Sequence, residues 1–177
     1  MASKRQANLT ATVMVAGSLA WIAGIGIAGM EGSHGFFGLG PLIADANLIL
    51  EVILVAGVSY GFLLARRGDI DAHQLNQTTW VLLNLGLIAL VMAGSMQDVK
   101  IAKGADLANW RVGVTWLHAA VGTLTAAAGL WIVLQMNGVL PASLHVAWWK
   151  NLMRAALAGY WLTGLLGFLT YYFWYVA

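Results

Sequence analysis

The chain has 177 residues, of which 60% are hydrophobic and only 9% charged. A soluble domain carries about 25% charged residues, so this composition excludes a cytosolic enzyme, a nucleic-acid binder and a disordered tail. The net charge of +2 comes from nine Lys and Arg against seven Asp and Glu, and the basic residues sit in short breaks between apolar runs, which reads as membrane topology and not as a nucleic-acid footprint.

Five apolar stretches reach the roughly 20 residues that a bilayer demands of a helix. They are predicted at 9–30, 41–65, 75–96, 112–136 and 149–176. The expected fold is all-α: one integral membrane bundle of five transmembrane helices, forming a single domain over 1–177. The first stretch follows Lys4 and Arg5, as a signal peptide would. Its apolar core exceeds the usual run of about 7–15 residues, so it is read as a membrane helix. Ala16, Ala20, Gly24 and Ala28 give it a ridge of small residues suited to packing against another helix.

The breaks carry turn and charge signals: Glu31-Gly32-Ser33-His34-Gly35, Arg66-Arg67-Gly68-Asp69, Asp98 to Arg111, and Asn137-Gly138 to Pro141. Lys4, Arg5, Arg66, Arg67, Lys150 and Arg154 fall on one side of such a bundle, and Lys100, Lys103 and Arg111 on the other. The excess predicts a cytoplasmic N-terminus and an external C-terminus, in the plasma (inner) membrane of a prokaryote. Trp110, Trp116, Trp148, Trp149, Trp174 and Tyr175 lie near predicted helix ends, where amphipathic rings prefer the headgroup layer.

In the second stretch Glu51 lies about 15 Å from the helix start, near the bilayer centre. An ionisable group there is expensive and is a functional hypothesis by default. It reads as a proton relay or cation ligand, or else as a carboxyl that holds helices together. Asn84 of the third stretch lies at matching depth and is a candidate hydrogen-bond partner; Asn47 precedes Glu51 by one turn on the same face.

With no Cys, iron–sulfur clusters, disulfides and covalent c-type haem are excluded. Any metal or porphyrin must rely on four His, seven Met, carboxylates and neutral oxygens. The Met residues are scattered, which gives a thioether copper site little support. His73 opens the third stretch and His145 lies just before the fifth, on the cytoplasmic side. His34 sits in the first outer loop, and His118 lies about 9 Å into the fourth helix. Two histidines per leaflet is what one or two bis-imidazole sites would require. Below His118, Gly122, Ala126, Thr125 and Gly129 make a flat face that suits either a porphyrin plane or a closely packed helix. His73, His145 and His34 are weaker ligand candidates: the first two also read as loop histidines near the interface, and His34 sits in a Gly-flanked loop. No P-loop, G-x-S-x-G or H-E-x-x-H pattern is present.

Three stretches resemble the CtaM/YozB-like family of small polytopic bacterial proteins associated with haem–copper terminal oxidases. They are Gly57 to His73, a helix ending in Arg66-Arg67 and a histidine; Trp116-Leu117-His118 with the small residues after it; and the last helix, where Thr163-Gly164 or Gly167 leads to Tyr171. The resemblance covers about 41–177. It implies four histidines, two on each side of the membrane; His73 and His118 match directly and His145 approximately. The remaining family histidine falls at Asp106, so that either an outer pair uses His34 or Asp106 instead or there is no outer pair. The resemblance further implies a subunit or assembly factor of a respiratory or related electron-transfer complex, partnered by other membrane subunits and not an enzyme by itself. His118, His73, His145 and His34 are the candidate ligands for haem b, and His118, His73 and His145 those for a metal ion. The same imidazoles also suit copper or chlorophyll magnesium. A purely structural or pigment-binding subunit, and a small proton or ion translocator using Glu51, are the alternatives.

Overall fold

The computed structural model describes residues 13, 15–17, 20, 34–92, 99 and 104–177. The predicted first span at 9–30, with its small-residue ridge, thus lies largely outside the described residues, as do Lys100 and Lys103. Over the described residues the chain is helical, with one isolated antiparallel bridge between His34 and Pro41. Four helices carry it: α1 Leu42–Arg66, α2 Ile70–Leu87, α3 Trp110–Met136 and α4 Trp149–Tyr175. With α2 extended through Met92, all four are long and apolar enough to cross a membrane.

These are the second to fifth predicted spans, with one boundary moved. α2 starts at Ile70, five residues before the expected 75, because the Asp69 side chain accepts the Ala72 amide and caps the helix. Hydropathy alone does not register the polar opening turns, although they are helical. Gly68 takes φ +81° in the three-residue turn between α1 and α2, a conformation that costs glycine little. At its other end α2 widens into a π turn at Ile88–Met92, an irregularity that a continuous apolar run does not announce.

The helices run alternately up and down. One end of the bundle holds the 35–40 loop, the start of α1, the start of α3 and the end of α4; it is called here the Asp45 end. The other, the Arg66 end, holds the α1–α2 turn and the α3–α4 loop. Leu54 and Val58 of α1, Val81 of α2, Val133 of α3 and Tyr160 of α4 form the core where all four helices meet. Outside it, Leu124 of α3 and Leu165 and Phe168 of α4 are exposed, as lipid-facing side chains should be.

In lipid, association depends on close backbone approach and interhelical hydrogen bonds, since apolar side chains gain nothing by leaving the tails. The α3–α4 contact shows this. Gly122 lies under Thr163, Gly129 under Tyr160, and Gly159 under Thr125. The flat face beyond His118 is therefore occupied by a helix.

Candidate functional site

Two polar regions face each other across the core. At the Arg66 end, α2 is stitched to α1 through side chains that donate to backbone carbonyls. The His73 Nδ1–H donates to the Gly61 carbonyl at 2.7 Å, Asn76 Nδ2 to Gly57 at 2.9 Å, and Gln77 Nε2 to Val58 at 3.1 Å. Trp80 Nε1 donates to Asn76 Oδ1 at 3.2 Å, and its ring lies on Gly57. His73 is thus buried in a helix contact and is not a solvated loop residue. His145 lies beyond the short 3₁₀ turn Ala142–Leu144, exposed, its Nε2–H donating to the Leu140 carbonyl at 3.1 Å.

At the Asp45 end, Asp45 is fully buried. One of its carboxyl oxygens accepts the Phe37 amide at 2.7 Å and the other the Tyr171 hydroxyl at 2.5 Å. This ties the 35–40 loop to α1 and α4. His34 is exposed beside that loop. Asp106 lies in a 3₁₀ turn, Gly104–Ala108, before α3.

Between this cap and the core lies the chemically distinctive group. Glu51 of α1 is 4% exposed, and its Oε1 lies 3.8 Å from His118 Nε2 of α3. The tautomer of His118 follows from its other nitrogen: Nδ1 faces the Thr163 carbonyl of α4 at 3.1 Å. A carbonyl only accepts, so Nδ1 carries the proton and Nε2 presents its lone pair when the ring is neutral. Gly167 of α4 makes room for the carboxyl, since a Cβ there would run into it. Glu51 Oε1 has no hydrogen-bond partner, and neither does the buried Asn47 Oδ1 one turn earlier. An imidazole lone pair from α3 and a carboxyl oxygen from α1 thus face each other with no donor between them, and an unmatched amide oxygen lies one turn away on α1, an arrangement that costs free energy unless something positive is shared.

The structure pairs Glu51 with His118; Asn84, the partner considered from depth alone, instead donates to the Tyr160 hydroxyl at 3.5 Å. Asp45 went unnoticed in the sequence, although an acid in the first turn of an apolar helix was its signal. Among the described residues no three of His, Asp and Glu gather into a metal-holding group. A haem iron on His118 Nε2, with its ring plane, needs the space that the Glu51 carboxyl fills, so a porphyrin does not fit there as the helices are packed. Smaller ions do not meet this obstacle.

Comparison with family models, with curated proteins and with solved structures gave no match.

Proposed function

We propose that this chain is an integral membrane subunit or assembly factor of a respiratory or related electron-transfer complex. It crosses the plasma membrane of a prokaryote five times, with its N-terminus cytoplasmic and its C-terminus outside. The resemblance over 41–177 supports the setting. The observation that carries the reading is the buried Glu51–His118 pair. An acid and a base facing each other inside lipid are costly to keep, and packing needs neither, because Gly122, Gly129 and Gly159 already bring α3 and α4 together. In this role Glu51 takes or releases a positive charge, and His118, fixed in one tautomer by Thr163, faces it with a lone pair.

The test is purification of the tagged chain from native membranes in mild detergent, with identification of the subunits that accompany it. Subunits of an electron-transfer complex are expected in the eluate. Membranes carrying Glu51→Gln should show reduced turnover of that complex, with the chain still inserted at normal levels. Unaltered respiration in both Glu51→Gln and His118→Ala membranes would sink the proposal.

One observation favours a purely structural subunit. His73, a family-matching histidine, has its Nδ1–H committed to a backbone carbonyl inside a helix contact. On that reading, alanine at all four histidines leaves assembly with partners intact.

A further inference from the structure

The spacing of the Glu51–His118 pair separates two ways of satisfying it. A direct hydrogen bond needs its heavy atoms within about 3.2 Å, and these stand 3.8 Å apart. Two ligands of one zinc-like ion, each at about 2.0–2.2 Å, come to this separation when the angle between them is about 130°. A single shared proton would satisfy only this pair. It would leave the second orphaned acceptor, Asn47 Oδ1 one turn away on α1, as it is. A metal ion can take all three.

Charge points the same way. Asp45 and Glu51 are both buried, separated by about 9 Å of rise along α1. Asp45 is held by two neutral donors, the Phe37 amide and the Tyr171 hydroxyl. Among the described residues no Lys or Arg is paired with either carboxyl. A divalent cation at Glu51 would balance the two acids within the low-dielectric interior, where an unpaired charge is most costly. The ring itself is held as metal-bound imidazoles are, its Nδ1–H given to a backbone carbonyl so that Nε2 presents its lone pair to the carboxyl. Imidazole nitrogen with carboxylate and amide oxygen suits Zn²⁺ and its neighbours better than Ca²⁺ or Mg²⁺, which prefer all-oxygen shells.

We infer that Glu51 Oε1, His118 Nε2 and Asn47 Oδ1 form a binding site for one divalent transition-metal ion. Three protein ligands leave a coordination position open, the mark of a site that exchanges its ion or engages a further ligand and not of a closed structural one. The inference rests on the functional reading above only for its setting. The pair could serve an electron-transfer complex without metal, and a metal could bind whether or not such a complex exists.

The experiment uses the full chain in detergent, stripped with a chelator and titrated with Co²⁺, whose visible absorption reports its ligands and geometry. One Co²⁺ per chain is expected, with the intense visible bands of a four-coordinate nitrogen–oxygen site, displaced by an equivalent of Zn²⁺. Affinity should fall by about tenfold or more in Asn47→Ala, and the bands should vanish in Glu51→Gln and in His118→Ala. Gly167→Ala, which pushes the carboxyl aside without touching a ligand, should weaken binding as well. His145→Ala, in the exposed loop, should leave the spectrum as it is. Absence of Co²⁺ binding by the wild type, or bands that persist in Glu51→Gln, would overturn the inference. Because the wild-type titration decides by itself, failure of a variant to fold does not shelter the proposal. Loss of complex turnover in Glu51→Gln without any Co²⁺ binding would leave the functional reading standing and remove the metal.

Discussion

His73 and His118 are both histidines inside a helix bundle, and both give Nδ1–H to a backbone carbonyl of a neighbouring helix. What surrounds them differs. Around His73, Asn76, Gln77 and Trp80 each donate to an acceptor, and none of these side chains leaves a buried oxygen unmatched. Beside His118, Glu51 Oε1 stands unmatched, and so does Asn47 Oδ1 one turn earlier on α1. The same residue type closes its hydrogen bonding at one end of the bundle and faces an unmatched oxygen at the other. Satisfied groups hold helices together in lipid; unsatisfied ones are tolerated only when something arrives to complete them.

The contrast can be broken or sharpened by substitution, with stability read as the unfolding midpoint in detergent. Gly57→Ala places a methyl group in the Trp80 ring and should cost about 3 kcal/mol, since the ring must leave Asn76 to make way. A melting curve like that of the wild type would mean that α1 and α2 are not held this closely. Tyr171→Phe removes one of the two donors to fully buried Asp45 and should cost about 2 kcal/mol. If the loss is negligible, Asp45 does not anchor the 35–40 loop. Asn76→Ala should cost about 1 kcal/mol, the scale of a hydrogen bond between membrane helices, and leave Co²⁺ binding unchanged; any effect on the metal would break the division between the two ends. Glu51→Gln should change stability by no more than about 0.5 kcal/mol while abolishing Co²⁺ binding. A large destabilisation there would place Glu51 with His73, as glue. His145→Ala, exposed in its loop, should be silent in both assays.

Much of this is legible in the sequence, and its limits are physical. The four described spans follow from apolar runs long enough for a bilayer, and Glu51 is found by counting turns from the start of its helix. The first turns of α2 hide because Asp69, Asp71 and His73 look like a loop to hydropathy, whereas a capped helix can carry them at its mouth. The partner of Glu51 is hidden for another reason. Depth narrows the choice to residues at one level of the membrane, but helix rotation decides among them, and uniformly apolar helices give no rotational signal. Depth points to Asn84, level with Glu51, whereas in the structure it is His118 that faces the carboxyl. The stitches from α2 to α1 leave no trace on α1, because every residue offers a carbonyl.

The Arg66-end stitches also bear on how the protein is made. Their partners lie only 12 to 19 residues apart along the chain, so α1 and α2 can lock together as a hairpin before α3 and α4 leave the ribosome, early closure being favoured for local contacts. Glu51 enters the membrane on that first-made hairpin, while His118 and Gly167 belong to helices synthesised later. The carboxyl therefore waits in the bilayer for its imidazole, and the ligand set is completed by the last helices to arrive.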